Sequence, residues 1–110
     1  MDISIKEIDH VKVVDLTGEV DANTAPKVQE QILPLAQPGS KILLNMTNVP
    51  YMSSAGLRML LALYRQTTAK DGKLVLVGLS EDLKDTMSVT GFLDFFTTCD
   101  NYDAGVEALK

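Results

Sequence analysis

Two short, uninterrupted apolar runs constrain this chain more than any other feature: Ile42-Leu43-Leu44 and Leu74-Val75-Leu76-Val77. Each is bounded by polar or turn-forming residues and is apolar at successive positions, as a strand buried on both faces would be. Between them lies YMSSAGLRMLLALYRQ, Tyr51 to Gln66, whose apolar residues recur at helical spacing. Strand, helix and strand in that order predict a parallel pair joined by a covering helix.

The flanking sequence extends the pattern. Ile3, Ile5 and Ile8 begin an extended segment, Asp9-His10 turns the chain, and Val11 to Leu16 returns as a second strand. In that strand Val11 and Val13 point one way and Val14 and Leu16 the other, which places it inside the sheet. Gly18-Glu19-Val20-Asp21 ends it, and Asn23 or Thr24 can cap the next helix, with Pro26 in the first turn. Val28, Ile32 and Leu35 have helical spacing, but Pro34 removes a backbone donor and ends or kinks this helix early. Pro38-Gly39 breaks the chain before the next strand. The central helix is expected from about Ser54 to Ala69, stopped by Asp71-Gly72. Ser80-Glu81-Asp82 starts a third helix with Leu83 and Met87 inward, ended by Gly91. Phe92 to Thr98 is compatible with a short edge strand, and Tyr102 to Leu109 reads as a last helix with Val106 and Leu109 inward. The expected fold is therefore α/β: a mixed, mostly parallel sheet of four to five strands with about four covering helices, one domain over residues 1–110.

At 110 residues with 45% hydrophobic content the chain can bury a core without a disulfide or metal staple. Its single cysteine, Cys99, excludes an intramolecular disulfide, and a reducing cytoplasm is the simplest home. The longest apolar runs, Met59 to Tyr64 and Leu74 to Val77, fall far short of the ~20 residues that span a bilayer. The start, Met-Asp-Ile-Ser-Ile-Lys, lacks the basic and apolar regions of a secretory signal. A formal net charge of −5 argues against nucleic acid or an anionic membrane as main partner.

On a helical wheel Leu57, Leu60, Leu61 and Tyr64 share the face that should pack on the sheet, with Arg58, Arg65 and Gln66 in water. Met59 and Leu63 fit neither face; either a neighbouring helix buries them or they form a partner surface. Ser53 or Ser54 can cap the helix, worth about 1 kcal/mol. Ala55 and Gly56 leave both hydroxyls little shielded, the helix N-terminus favours a phosphate, and Arg58 lies one turn past Ser54. Capping and phosphorylation are both open at this point.

Catalysis lacks its parts. There is no G-x-S-x-G elbow, and the only histidine, His10, falls in a turn. One cysteine and one histidine make no metal site, no nucleotide-binding loop occurs, and Asp21 has no second placed carboxylate.

Four segments together resemble a stand-alone STAS domain of the bacterial anti-sigma-factor antagonist family. They are Leu16-Thr17-Gly18-Glu19-Val20-Asp21, the strand and loop Ile42 to Val49, the phosphoacceptor-like Tyr51-Met52-Ser53-Ser54-Ala55-Gly56-Leu57, and Lys73-Leu74-Val75-Leu76-Val77-Gly78. The Ser-Ser-Ala-Gly-Leu-Arg form of the third is a variant of the family motif. The resemblance implies partner switching. The unphosphorylated protein binds an anti-sigma factor that is also a GHKL-type serine kinase and so frees a sigma factor. The kinase phosphorylates the antagonist, breaking the complex, and a PP2C-type phosphatase reverses this. Carried over by position, Ser54 is the acceptor, with Ser53 second choice. The implied partner surface comprises Asp21, Asn23, Asn45, Thr47, Ser53, Ser54, Ala55, Gly56, Arg58, Met59 and Leu63. The chain would be no enzyme and need no cofactor, ATP and magnesium belonging to the kinase, and its partners would include neither nucleic acid nor membrane. Where the family commonly ends its strand in Asp-Leu-Ser, this chain has Asn45-Met46-Thr47. The alternative is a STAS subunit of a lipid-transport or stress-signalling assembly, its serines serving only as caps.

Overall fold

In a computed structural model describing residues 1–110, five strands form one sheet in the order β1-β2-β3-β4-β5. They are β1 (Asp2–Ile8), β2 (Val11–Thr17), β3 (Lys41–Asn48), β4 (Lys73–Val77) and β5 (Thr97–Cys99). β1 and β2 are antiparallel; every later neighbour is parallel. Helices α1 (Ala25–Ile32), α2 (Ser54–Ala69) and α3 (Glu81–Val89) connect the parallel strands, and α4 (Tyr102–Leu109) follows β5. Each crossover advances one strand in the same direction. Because such crossovers are right-handed, α1, α2 and α3 must lie on one face. Only α4, which closes no crossover, can cover the other.

The buried side chains divide accordingly. Val14, Leu16, Ile42, Leu44, Met46, Leu74 and Leu76 meet the three crossover helices. Val11, Val13, Leu43, Val75 and Val77 meet Leu109 of α4, with Tyr102 and Val106 at its margin. The two-sided β2 is thus inside the sheet, as its sequence requires. The Asp9-His10 turn has φ of 51° and 67°, the left-handed pair that suits a two-residue hairpin. Across that hairpin Lys12 Nζ lies 2.7 Å from Glu7, holding the exposed Glu7 carboxyl below its usual range through the hydrogen bond and the charge.

α2 stops before Asp71-Gly72 as expected, with Asp71 (φ 58°) the left-handed residue. Two expectations need correction. α1 ends at Ile32 and tightens into a 3-10 turn, Leu33–Leu35, around Pro34, but its N-cap Thr24 makes no side-chain capping bond. The buried stripe of α2 is also rotated from the wheel: Gly56, Leu57, Met59, Leu60, Leu63 and Thr67 are buried, whereas Leu61 and Tyr64 are only half-buried. The cause is the unequal cover on the two sides of the helix. α1 packs along the Met59 side, while Tyr64 lies at the margin of the core beside the rings of Phe95 and Phe96, at 6.2 and 5.4 Å.

Candidate functional site

Past the end of β2 the chain does not leave its neighbour. Gly18 N–H donates to Asn48 O (3.0 Å), Val20 N–H to Tyr51 O (3.0 Å), and Ser53 N–H to Val20 O (2.8 Å). Val20 and Met52 form a parallel bridge that fastens the approach to α1 beside the approach to α2. The Asp21 turn and the Ser53-Ser54 pair, remote in sequence, are thereby side by side at the ends of β2 and β3.

Asp21 organises its own turn. Its Oδ1 accepts from Asn23 N–H (2.9 Å), Thr24 N–H (3.1 Å) and the Thr24 hydroxyl (3.3 Å). Thr24 Oγ1 in turn accepts from Asp21 N–H, and its single proton is within reach of both Glu19 O (2.8 Å) and Asp21 Oδ1, the former being the shorter. The carboxylate therefore satisfies the Asn23 and Thr24 amides ahead of α1, and Thr24 Oγ1 that of Asp21. Asp21→Ala is expected to lose about 1–2 kcal/mol of stability in urea denaturation, while Asp21→Asn, which keeps the acceptor oxygen, loses much less.

Ser53 is the N-cap of α2, extended at φ −80°, ψ 176°, with Oγ 3.4 Å from Gly56 N. Ser54 is the first helical residue and is exposed. The division of labour between the two hydroxyls is thus clear: Ser53 is engaged by backbone and Ser54 faces outward. A groove of about 320 Å³ lies beside them, lined by Tyr51, Ser53, Ser54 and Leu57 on one side and Asp82, Thr86 and Thr90 of α3 on the other. A shallower one of about 270 Å³ runs between α1 and α2, lined by Ala22, Pro26, Gln29, Ala55, Arg58 and Met59 among others. Ser54 and Ala55 form the ridge between them.

Of the residues expected to share a partner surface, Asp21, Asn23, Ser53, Ser54, Ala55 and Arg58 are brought together here with at least part of each exposed. Met59 (4% exposed) and Leu63 (1%) belong to the core, because α1 covers that flank of α2. Gly56 is also buried: a Cβ there would stand 2.5 Å from Met52 Cγ and 2.9 Å from Val20 O. The free chain does not present these three at its surface. Asn45 and Thr47 alternate with Leu44 and Met46, so they lie on the opposite face of the sheet from α2. There Asn45 Nδ2 donates to Asp15 Oδ1 (2.8 Å), and Asn45 Oδ1 accepts from the Thr47 amide (3.1 Å) and hydroxyl (2.6 Å). Tyr51, half exposed, and the α3 residues Asp82, Thr86 and Thr90 were not anticipated. Tyr51 stands inside the motif itself; the α3 residues, some thirty positions downstream, carried no signal.

The only histidine is remote from the serine pair. His10 sits in the turn before β2 and Ser54 beyond the other end of that seven-residue strand, a separation of about 20 Å at ~3.3 Å per residue.

The family model described as STAS domain matches residues 2–105. The anti-sigma-B factor antagonist of Bacillus subtilis is 28% identical over 107 residues, covering 97% of this chain and 98% of that protein. The protein of that name from Listeria monocytogenes is 33% identical over 95 residues, 86% of this chain and 82% of the relative. Among solved structures, the anti-sigma factor antagonist SpoIIAA superimposes in its unphosphorylated form with a TM-score of 0.75 at 18% identity, covering 97% of this chain and 96% of that one. Its phosphorylated form gives 0.74 at 17% identity, covering 99% and 100%.

Proposed function

The chain belongs to the STAS domain family, and from that membership we propose that it is an anti-sigma-factor antagonist working by partner switching. It is a regulatory protein and not an enzyme, as its relatives are. In the unphosphorylated state it binds, in the cytoplasm, an anti-sigma factor that is also a GHKL-type serine kinase, and a sigma factor is freed. The kinase, using its own ATP and magnesium, phosphorylates Ser54; the complex breaks, and a PP2C-type phosphatase resets it. The chain itself needs no cofactor.

One observation carries this reading: Ser54 is exposed on the first turn of α2 while the adjacent Ser53 caps that helix. A phosphate at Ser54 adds about −1.5 to −2 charges at neutral pH, and the helix N-terminus accommodates it. Inside a desolvated interface the same group must shed water and face whatever acidic side chains oppose it, which costs several kcal/mol. The switch therefore acts on the interface and leaves the fold intact.

Phosphorylation by a GHKL-type kinase, mapped by mass spectrometry in the natural chain, Ser54→Ala and Ser53→Ala, tests the assignment. Ser54→Ala is expected to abolish incorporation and Ser53→Ala to slow it while lowering stability by ~1 kcal/mol through the lost cap. Incorporation surviving in Ser54→Ala and vanishing in Ser53→Ala would move the acceptor by one residue. No incorporation into any form, with capture of an ABC-type ATPase from lysate, would favour the transport-subunit alternative.

A further inference from the structure

β1 is a long, open sheet edge. It has seven residues against three in β5, contains no proline, pairs with β2 in unbroken register, and is exposed from Ser4 to Ile8. Edges of this kind are normally shortened, bulged or covered, because they template pairing with another chain. The two-residue turn closes on Ile8 and Val11, which makes that a hydrogen-bonded pair. Alternation then directs the amide groups of Ile8, Lys6 and Ser4 to β2 and those of Glu7, Ile5 and Ile3 to the open edge.

We propose that β1 pairs antiparallel with β1 of a second copy of this chain, about a two-fold axis at Ser4, merging two five-stranded sheets into one. Hydrogen-bond alternation allows only registers that place outward residues opposite outward residues. With the axis at Ser4, Ile3 faces Ile5 of the second copy, Asp2 faces its Lys6, and the two Ser4 residues face each other. Ile3 and Ile5 stand over Leu16 and Val14 on the face of the larger core, so the pairing covers Ile5, otherwise 39% exposed. The axis at Ile5 would set Asp2 against Ile8 and Ile3 against Glu7; at Lys6 it would set ammonium against ammonium. The axis at Ile3 leaves Lys6 and Glu7 beyond the paired segment. Only the Ser4 register matches opposite charges and apolar residues together. Lys6 can turn to this role, since its present contacts are loose: 3.9 Å to Asp15 Oδ2 and 6.0 Å to the Tyr102 ring centroid.

This pairing is independent of the phosphorylation reading and is tested by sedimentation of the full chain up to about 1 mM. A concentration-dependent dimer is expected. Asp2→Lys or Lys6→Asp alone should weaken it about tenfold, since two cross-strand pairs turn from attraction to repulsion, and the double swap should restore it. In a Cys99→Ser background, Ser4→Cys should oxidise to a disulfide-linked dimer, because directly opposed non-hydrogen-bonded residues lie ~4.5 Å apart at Cα. Lys6→Cys should not, its counterpart being out of bridging range. A monomer at every concentration, a double swap that restores nothing, or Lys6→Cys cross-linking as readily as Ser4→Cys would each overturn the proposal.

Discussion

Ser54→Asp is expected to cost the chain its anti-sigma partner, lowering affinity by about 100-fold or more, with little change in thermal midpoint. The two outcomes come from one location. Ser54 is exposed at the positive end of α2, where a carboxylate is tolerated or mildly stabilising, by about 0.3–1 kcal/mol. The same charge buried in a complex finds no water and lies near Asp82 of this chain, which lines the adjoining groove. Desolvation and repulsion of several kcal/mol outweigh the dipole term, and ~1.4 kcal/mol per decade converts the difference to at least two decades. Calorimetric titration with the partner kinase, beside thermal denaturation of the free protein, reads both quantities. Ser53→Asp supplies the contrast: aspartate is as good a cap as serine, so that variant should fold normally and bind better than Ser54→Asp. Retained affinity in Ser54→Asp, or a large loss of its stability, would defeat the switching mechanism.

Gly56→Val should be the most damaging single substitution in the site, lowering stability by about 3 kcal/mol. A Cβ at this position would press on Met52 Cγ (2.5 Å), Val20 O (2.9 Å) and Val20 Cγ1 (3.0 Å). Met52 can yield, but Val20 O is backbone already engaged by Ser53 N–H, so the first turn of α2 must lift from the bridge. Gly56→Ala meets the same contacts with less bulk and gains about 1 kcal/mol of helix propensity, so its net cost should be clearly smaller. At roughly 4–8 °C per kcal/mol for a domain of this size, the valine form should melt well over 10 °C lower. Because the lifted turn carries Ser53 and Ser54, its phosphorylation should slow as well. An unchanged midpoint would show that the bridge does not hold α2 in place.

Much of the architecture was legible because its signals are local. The limits of α2 at Ser54 and Ala69 follow from the capping and helix-ending residues beside them, and α4 from the spacing of its apolar residues. The two-sided apolar pattern of Val11 to Leu16 is sufficient to place β2 between neighbours. The wheel left Met59 and Leu63 between burial by a neighbouring helix and a partner surface, because a helix seen alone has one apolar stripe and no record of what flanks it. α1 supplied a second covered side, and two residues that looked left over became core. Asn45 and Thr47 were assigned to the partner surface by the family resemblance, whereas strand periodicity turns them to the face opposite α2, into a network with Asp15.

By itself, then, the amino-acid order determined the succession of strands and helices and the serine pair at a helix start, since both depend on neighbours a few residues away. Tertiary structure alone decided which serine is engaged and which is presented. That choice depends on Val20, thirty-three positions before Ser53, whose carbonyl holds the Ser53 amide and sets the angle at which α2 begins. It also decided that α3 would wall the groove beside Ser54, because only the crossover connections bring those helices to one face of the sheet.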